Sequence, residues 1–118
     1  QFGAAATRFV EQPHGAATSL GLRFDEGERS VGYAIDFSDL TDDMAGLYEG
    51  VEVWIADCLT RSPHPSHMHL DAVLSHAKEL GVGQLYLVHM GNGLDYRTLA
   101  AELPDWAAPA HDGLEIDL

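Results

Sequence analysis

The sequence predicts an α/β fold, a mixed sheet covered by helices, and three observations carry that reading. The first third alternates apolar and polar residues with a period of two, as antiparallel strands with one buried face do. Beyond Gly50 come short, nearly continuous apolar runs, the pattern of strands buried on both faces. Between those runs lie segments with apolar residues on one helical face. Strands alternating with helices in this way build layered α/β domains.

The elements follow in order along the chain. Ala6–Gln12 is an extended segment. Ser19–Asp25 alternates through Leu20, Leu22 and Phe24, with Gly21 and Arg23 between them. Asp25-Glu26-Gly27-Glu28-Arg29 makes a turn, and Ser30–Ile35 resumes with Val31, Tyr33 and Ile35. A helix over Asp42–Tyr48 starts from Thr41 as N-cap and ends near Gly50. Val51–Asp57 is an apolar strand. Leu70–Leu80 is a helix with Leu70, Val73, Leu74, Ala77 and Leu80 on one face, stopped by Gly81. Gln84–Val88 is a further strand, Tyr96–Leu103 a helix halted by Pro104, and Leu114–Leu118 a closing strand.

Composition narrows the function classes. The 118 residues suffice for one small domain, and 46% of them are hydrophobic, as a packed core requires. Formal net charge is −13, six Lys plus Arg against nineteen Asp plus Glu. That field repels nucleic acid and anionic membranes, and no basic patch offsets it. No apolar run reaches the roughly 20 residues of a membrane helix. The opening residues carry no basic flank of a signal peptide. One cysteine, Cys58, fits a reducing cytoplasm and reads as a small buried hydrophobe. The first residue is Gln1, not Met, so a start inside a longer protein is expected.

Chemistry-bearing side chains recur at the C-terminal ends of strands: His14, Asp36, Asp57 and His89. Open α/β sheets place ligand sites there. Imidazoles with a carboxylate suit Zn²⁺ or Mn²⁺. A second cluster is Arg61-Ser62-Pro63-His64-Pro65-Ser66-His67-Met68-His69, in which two prolines stiffen a histidine-rich loop. Beside a metal, one of these imidazoles can protonate a leaving alkoxide. Taken singly, each residue has a plainer reading. His14 is then a loop residue, Asp36 an Asx-turn cap over Phe37–Leu40, His89 a satisfied core histidine, and the loop a solvated crossover. His76 reads as surface and His69 as a helix-start residue.

In order, Pro13-His14-Gly15, Ser19-Leu20-Gly21-Leu22-Arg23-Phe24 and Tyr33-Ala34-Ile35-Asp36-Phe37-Ser38 resemble the distal half of metallo-β-lactamase-fold hydrolases. Asp57-Cys58-Leu59 with Arg61, Pro63-His64-Pro65-Ser66-His67, His89-Met90, Leu94-Asp95-Tyr96 and Asp112-Gly113-Leu114 continue the resemblance over nearly the whole chain. The branch it is most similar to is the phosphodiesterase group containing the phosphoribosyl cyclic-phosphate phosphodiesterase; ribonuclease Z is a more distant relative. The resemblance implies the C-terminal half of an αββα sandwich, a mixed sheet with helices on one face, occupying residues 1–118. It implies two divalent metal ions in the intact protein, Zn or Mn, with one or none held by this half alone. By position it implies His14, Asp36 and His89 as metal ligands, with Asp36 bridging. His67 is implied as proton donor or phosphate holder, with His64 and Asp57 supporting it.

Two departures stand out. The family's His-x-His-x-Asp-His segment is absent. A missing N-terminal half, or a second copy of the chain, is therefore expected to cover an otherwise exposed apolar sheet face. Asn92 stands where close relatives often carry histidine, and an amide does not shuttle protons near neutral pH. The expected function is metal-dependent hydrolysis of small or cyclic phosphodiesters. The alternatives are a non-catalytic assembly half-domain and a thioester or lactam hydrolase.

Overall fold

Residues 6–91, 94–111 and 113–116 are described by the computed structural model, so Asn92 lies outside the described residues. Three strands open the chain: β1 (Ala6–His14), β2 (Ala17–Glu26) and β3 (Arg29–Ala34). Then α1 (Asp42–Tyr48), β4 (Val53–Asp57), α2 (Leu70–Leu80), β5 (Gln84–Val88), α3 (Tyr96–Glu102) and β6 (Ala107–Pro109) alternate. The strands form one sheet in the order β1-β2-β3-β4-β5-β6. β1, β2 and β3 pair antiparallel, and β3 through β6 pair parallel, which gives the mixed sheet the sequence predicts. Each parallel step moves the same way across the sheet, so right-handed crossovers carry α1, α2 and α3 over a single face.

The helix ends follow local chemistry. The Thr41 side chain accepts the Met44 N–H at the start of α1. At its other end Arg23 donates from one guanidinium nitrogen to the carbonyls of Leu47 and Glu49, each at 2.9 Å, satisfying acceptors the helix leaves open. Gly81 closes α2 in the left-handed conformation, φ 69°, with its N–H on the Ala77 and Lys78 carbonyls. Asp95 caps α3 by accepting the Thr98 N–H at 3.0 Å.

Side-chain parity divides the sheet into two unlike faces. Trp54, Ala56, Leu85 and Leu87 face the helices and are fully buried with Met44, Tyr48, Val73 and Leu99. Gly32 and Gly21 belong to this face, and Gly21 leaves room for the Tyr48 hydroxyl, which a Cβ would meet at 2.1 Å. The opposite face carries a register row across all six strands: Phe9, Leu22, Tyr33, Ile55, Tyr86 and Ala108. No helix covers it. Phe9 is 71% exposed and, beside the row, Leu20 is 51% exposed. The alternation of Leu20, Leu22 and Phe24 therefore marks the uncovered face, and not the face turned toward the chain's own helices.

Several boundaries differ from the sequence expectation. β1 continues through Pro13 to His14 because it is an edge strand, where a missing N–H breaks no ladder. The last strand is Ala107–Pro109, too short and too lacking in alternation to be read in advance. It occupies the free side of β5, with the Leu85 N–H on the Trp106 carbonyl at 2.8 Å. Leu114–Ile116 is not a strand, and the rest of the expected closing strand lies outside the described residues. His76 is half-buried, with Nδ1 buried and without a hydrogen-bond partner, where the helical pattern reads as surface. Among the described residues no helix is long and apolar enough to cross a membrane.

Cys58 is fully buried in the core cluster. Burial, reinforced by the neighbouring Asp57 charge, pushes its thiol up to about 12. At pH 8 the thiolate is therefore scarce as well as inaccessible. The expected outcome is no labelling of native protein by iodoacetamide at pH 8, and full labelling in 6–8 M urea, read by intact mass; rapid native labelling contradicts the packing.

Candidate metal centre

Since β3, β4 and β5 are parallel, their C-terminal ends share one edge of the sheet. β1 is antiparallel to β2, as β2 is to β3, so β1 also ends there. His14 is the last residue of β1, Asp36 follows β3, Asp57 ends β4, and His89 follows β5. The loop between β4 and α2 brings His64 and His67 to the same edge.

The centre is built on Asp57, whose side chain is fully buried. A buried carboxylate is tolerated only when its oxygens are hydrogen-bonded. Here His67 Nδ1 lies 2.8 Å from Asp57 Oδ2 and His89 Nδ1 lies 3.1 Å from Oδ1. Each Nδ1–H donates to a carboxylate oxygen, which leaves Nε2 of both rings with a lone pair. Asp36 adds a second carboxylate, its Oδ1 3.3 Å from His89 Nδ1 and 3.7 Å from His67 Nδ1. Its side chain is 42% exposed.

The flanking histidines are fixed in opposite tautomers. His14 Nδ1 lies 2.7 Å from the Ser66 carbonyl. A carbonyl only accepts, so Nδ1 carries the proton and Nε2 is free to ligate. His64 Nδ1 instead accepts the backbone N–H of Ser66 at 3.1 Å and of His67 at 3.2 Å. In neutral His64 the proton therefore sits on Nε2, which is a donor, while Nδ1 braces the loop. The rings pack edge-on, with centroids 4.7 Å apart for His14 and His67, 4.9 Å for His67 and His89, and 5.3 Å for His64 and His67. Gly15, φ +60°, permits the loop's approach, since a Cβ there would come within 2.9 Å of the Ser66 Cβ.

Two ligand candidates sit on unusual backbone. Asp36 (φ 58°) and His89 (φ 56°) are the non-glycine residues with positive φ among the described residues. Such conformations cost about 1–3 kcal/mol each and collect at functional sites. Around Asp36 the cost is offset by a hydrogen-bond chain that sequence reasoning missed. Tyr48 donates to Gln12 Oε1 at 2.7 Å, and Gln12 Nε2 donates to Ser19 Oγ at 3.1 Å and to the Ile35 carbonyl at 3.2 Å. Ser19 Oγ donates to the Asp36 carbonyl at 2.6 Å. The one available sign was Gln12, a long polar residue in a helix-facing strand position. The turn beyond Asp36 is capped by Asp39, which accepts the Leu40 N–H at 2.8 Å.

Asp36, Asp57, His67 and His89 offer ligand atoms within 4.8 Å of one another, a group able to hold a metal ion. His14 stands outside that group but against the His67 ring. The donor chemistry fits a divalent ion: imidazole nitrogens whose other nitrogen is held by a carboxylate or carbonyl, beside a carboxylate turned toward solvent. Both Asp57 oxygens accept imidazole N–H groups, so Asp57 orients the two rings.

Comparisons with known proteins agree with this frame. The family model for the beta-lactamase superfamily domain matches residues 1–90. A diphosphatase of the PhnP family is similar over 97% of this chain and 43% of its own, with 32% identity and a TM-score of 0.86. The metallo-beta-lactamase fold protein YhfI from Bacillus subtilis is similar over 97% of this chain and 50% of its own, with 23% identity and a TM-score of 0.81. Zinc-bound PqqB from Methylobacterium extorquens matches over 98% of this chain and 51% of its own, at 16% identity and a TM-score of 0.78. The chain thus spans about half the length of these relatives. No curated protein matches the chain at a significant level.

Removing the Asp57 carboxylate strands two imidazole N–H groups beside a buried void. Asp57→Ala is expected to destabilise the fold by about 1–3 kcal/mol. Asp57→Asn, which keeps one acceptor oxygen, should fall between the two. Urea unfolding followed by circular dichroism reads the order, and an Asp57→Ala midpoint equal to that of the parent chain contradicts it.

Proposed function

The chain belongs to the beta-lactamase superfamily, and on that footing we propose that the protein is a metal-dependent hydrolase of small or cyclic phosphodiesters. The observation that carries the reading is the convergence of imidazoles from three separate segments around Asp57, with Asp36 beside them. Residues 1–118 act as the C-terminal half-domain. A second αβ half, carrying the remaining metal ligands, covers the Phe9–Ala108 sheet row; a second copy of this chain is the other candidate cover.

With the second half in place, His14, Asp36 and His89 would contribute ligands to two divalent ions, zinc or manganese, whose remaining ligands the second half would supply. When bound, such ions polarise a phosphoryl oxygen and activate water. His67, after taking up a second proton on Nε2, delivers that proton to the leaving alkoxide, and Asp57 steadies the imidazolium through Nδ1. His64 presents its Nε2–H to a phosphate oxygen. The net charge of −13 disfavours a long nucleic acid, so the substrate is a small molecule. The single cysteine suits a reducing cytoplasm.

One observation favours a second reaction. The relative at 32% identity is a diphosphatase, so cleavage of a phosphoanhydride is the second reading. Both reactions transfer a phosphoryl group to water and need the same residues.

In the native polypeptide with zinc or manganese added, hydrolysis of bis(p-nitrophenyl) phosphate is expected. Preference for a nucleoside diphosphate would favour the second reading. The double variant His14→Ala, Asp36→Ala should lose turnover, and survival of turnover in it removes this site from the reaction. Separately, His67→Ala should lower kcat by roughly 10²–10⁴-fold, most strongly for substrates with poor leaving groups; an equal rate for good and poor leaving groups argues against the proton-donor role.

A further inference from the structure

We propose that Ser19 is a positioning residue for Asp36, held in turn by Gln12 and Tyr48. The inference rests on the reading of Asp36 as a metal ligand. Asp36 directs its carboxylate from a left-handed backbone that an aspartate does not favour on its own. Something must hold that conformation, and the contacts name it. Ser19 Oγ has one proton and gives it to the Asp36 carbonyl at 2.6 Å. Its lone pairs accept from Gln12 Nε2 at 3.1 Å, which fixes the oxygen in place, and the Asp36 carbonyl is a nearer acceptor for its proton than the Ile35 carbonyl at 3.3 Å. Gln12, only 1% exposed, is fixed by the Tyr48 hydroxyl on Oε1 and by the Ile35 carbonyl on its amide nitrogen.

The chain has a direction. Tyr48 lies at the C-terminal end of α1, Gln12 on β1, Ser19 on β2 and Asp36 beyond β3. Burial raises the Tyr48 hydroxyl well above its ordinary value, so it stays a donor throughout the working pH range. The helix layer is thereby linked to the backbone of a site carboxylate through side chains that never touch the site. Partners of this kind tune ligand geometry, and losing one typically costs 10–100-fold in metal affinity.

The test is calorimetric titration of Zn²⁺ and of Mn²⁺ into metal-free native protein, with the absorption spectrum of the Co²⁺ form as a geometric readout. Ser19→Ala, and the near-isosteric Ser19→Cys, are expected to bind 10–100-fold more weakly and to shift the Co²⁺ bands. Thermal unfolding of the metal-free variants should stay within a few degrees of the parent. Ser19→Thr, which keeps the hydroxyl, should restore both affinity and spectrum. Parent-like affinity and spectrum in Ser19→Cys overturn the proposal. So does a Ser19→Thr variant as weak as Ser19→Ala. Asp36→Ala is the control: if it loses metal while Ser19→Ala and Ser19→Cys do not, only the Ser19 proposal fails. If Asp36→Ala binds as the parent does, the ligand reading fails and the Ser19 proposal with it.

Discussion

A buried carboxylate is the constraint on which the rest of the site depends. Asp57 sits at the end of a central strand with its side chain fully buried, and its two oxygens accept from imidazoles of two other segments. Neither histidine can move without stranding a charge in the core. The loop between β4 and α2 must therefore fold so that His67 reaches inward. It does so by turning around His64 Nδ1 and by resting its Ser66 carbonyl on His14. One electrostatic requirement thus links β1, the loop, β4 and β5 at a single edge of the sheet.

The sheet makes that edge possible. Four strands ending in the same direction bring their terminal residues together without any one segment supplying the site. Rigid strand ends also support the two left-handed residues, Asp36 and His89, whose backbone would relax in a free loop. Fold and site are held by different chemistry. Trp54, Tyr48, Leu85 and Leu87 stabilise the helix-side core by burying apolar surface, and the Gln12–Ser19 hydrogen bonds connect that core to the site.

Much of this was legible in the sequence, for identifiable reasons. The helices over Asp42–Tyr48 and Leu70–Leu80 were readable because Thr41 and Gly81 are strong local punctuation and the apolar spacing between Leu70 and Leu80 is regular. The strand over Gln84–Val88 was readable as a short run of apolar residues. The clustering of chemistry at strand ends was readable from position alone. What escaped was tertiary. Nothing local distinguishes Ala107–Pro109 from a loop, because its pairing with β5 defines it. The alternation in β2 says that one face is apolar but not whether this chain covers it. Arg23 reads as a polar strand position, yet its function is to cap a helix that begins nineteen positions later, a relation only the folded chain creates. Tautomers are likewise invisible until a carbonyl or an amide is seen beside each ring.

The two faces of β4 carry one more implication. Asp57 falls on the same side of its strand as Ile55, so the helix-free surface and the charged edge are continuous. Any polypeptide that roofed that surface would also wall the candidate metal centre. Changing such a roof would alter the shape and entrance of the space over that centre while leaving the imidazole framework untouched. A two-layer architecture of this kind separates inventing a chemistry from choosing its target, so that each can change under selection without rebuilding the other.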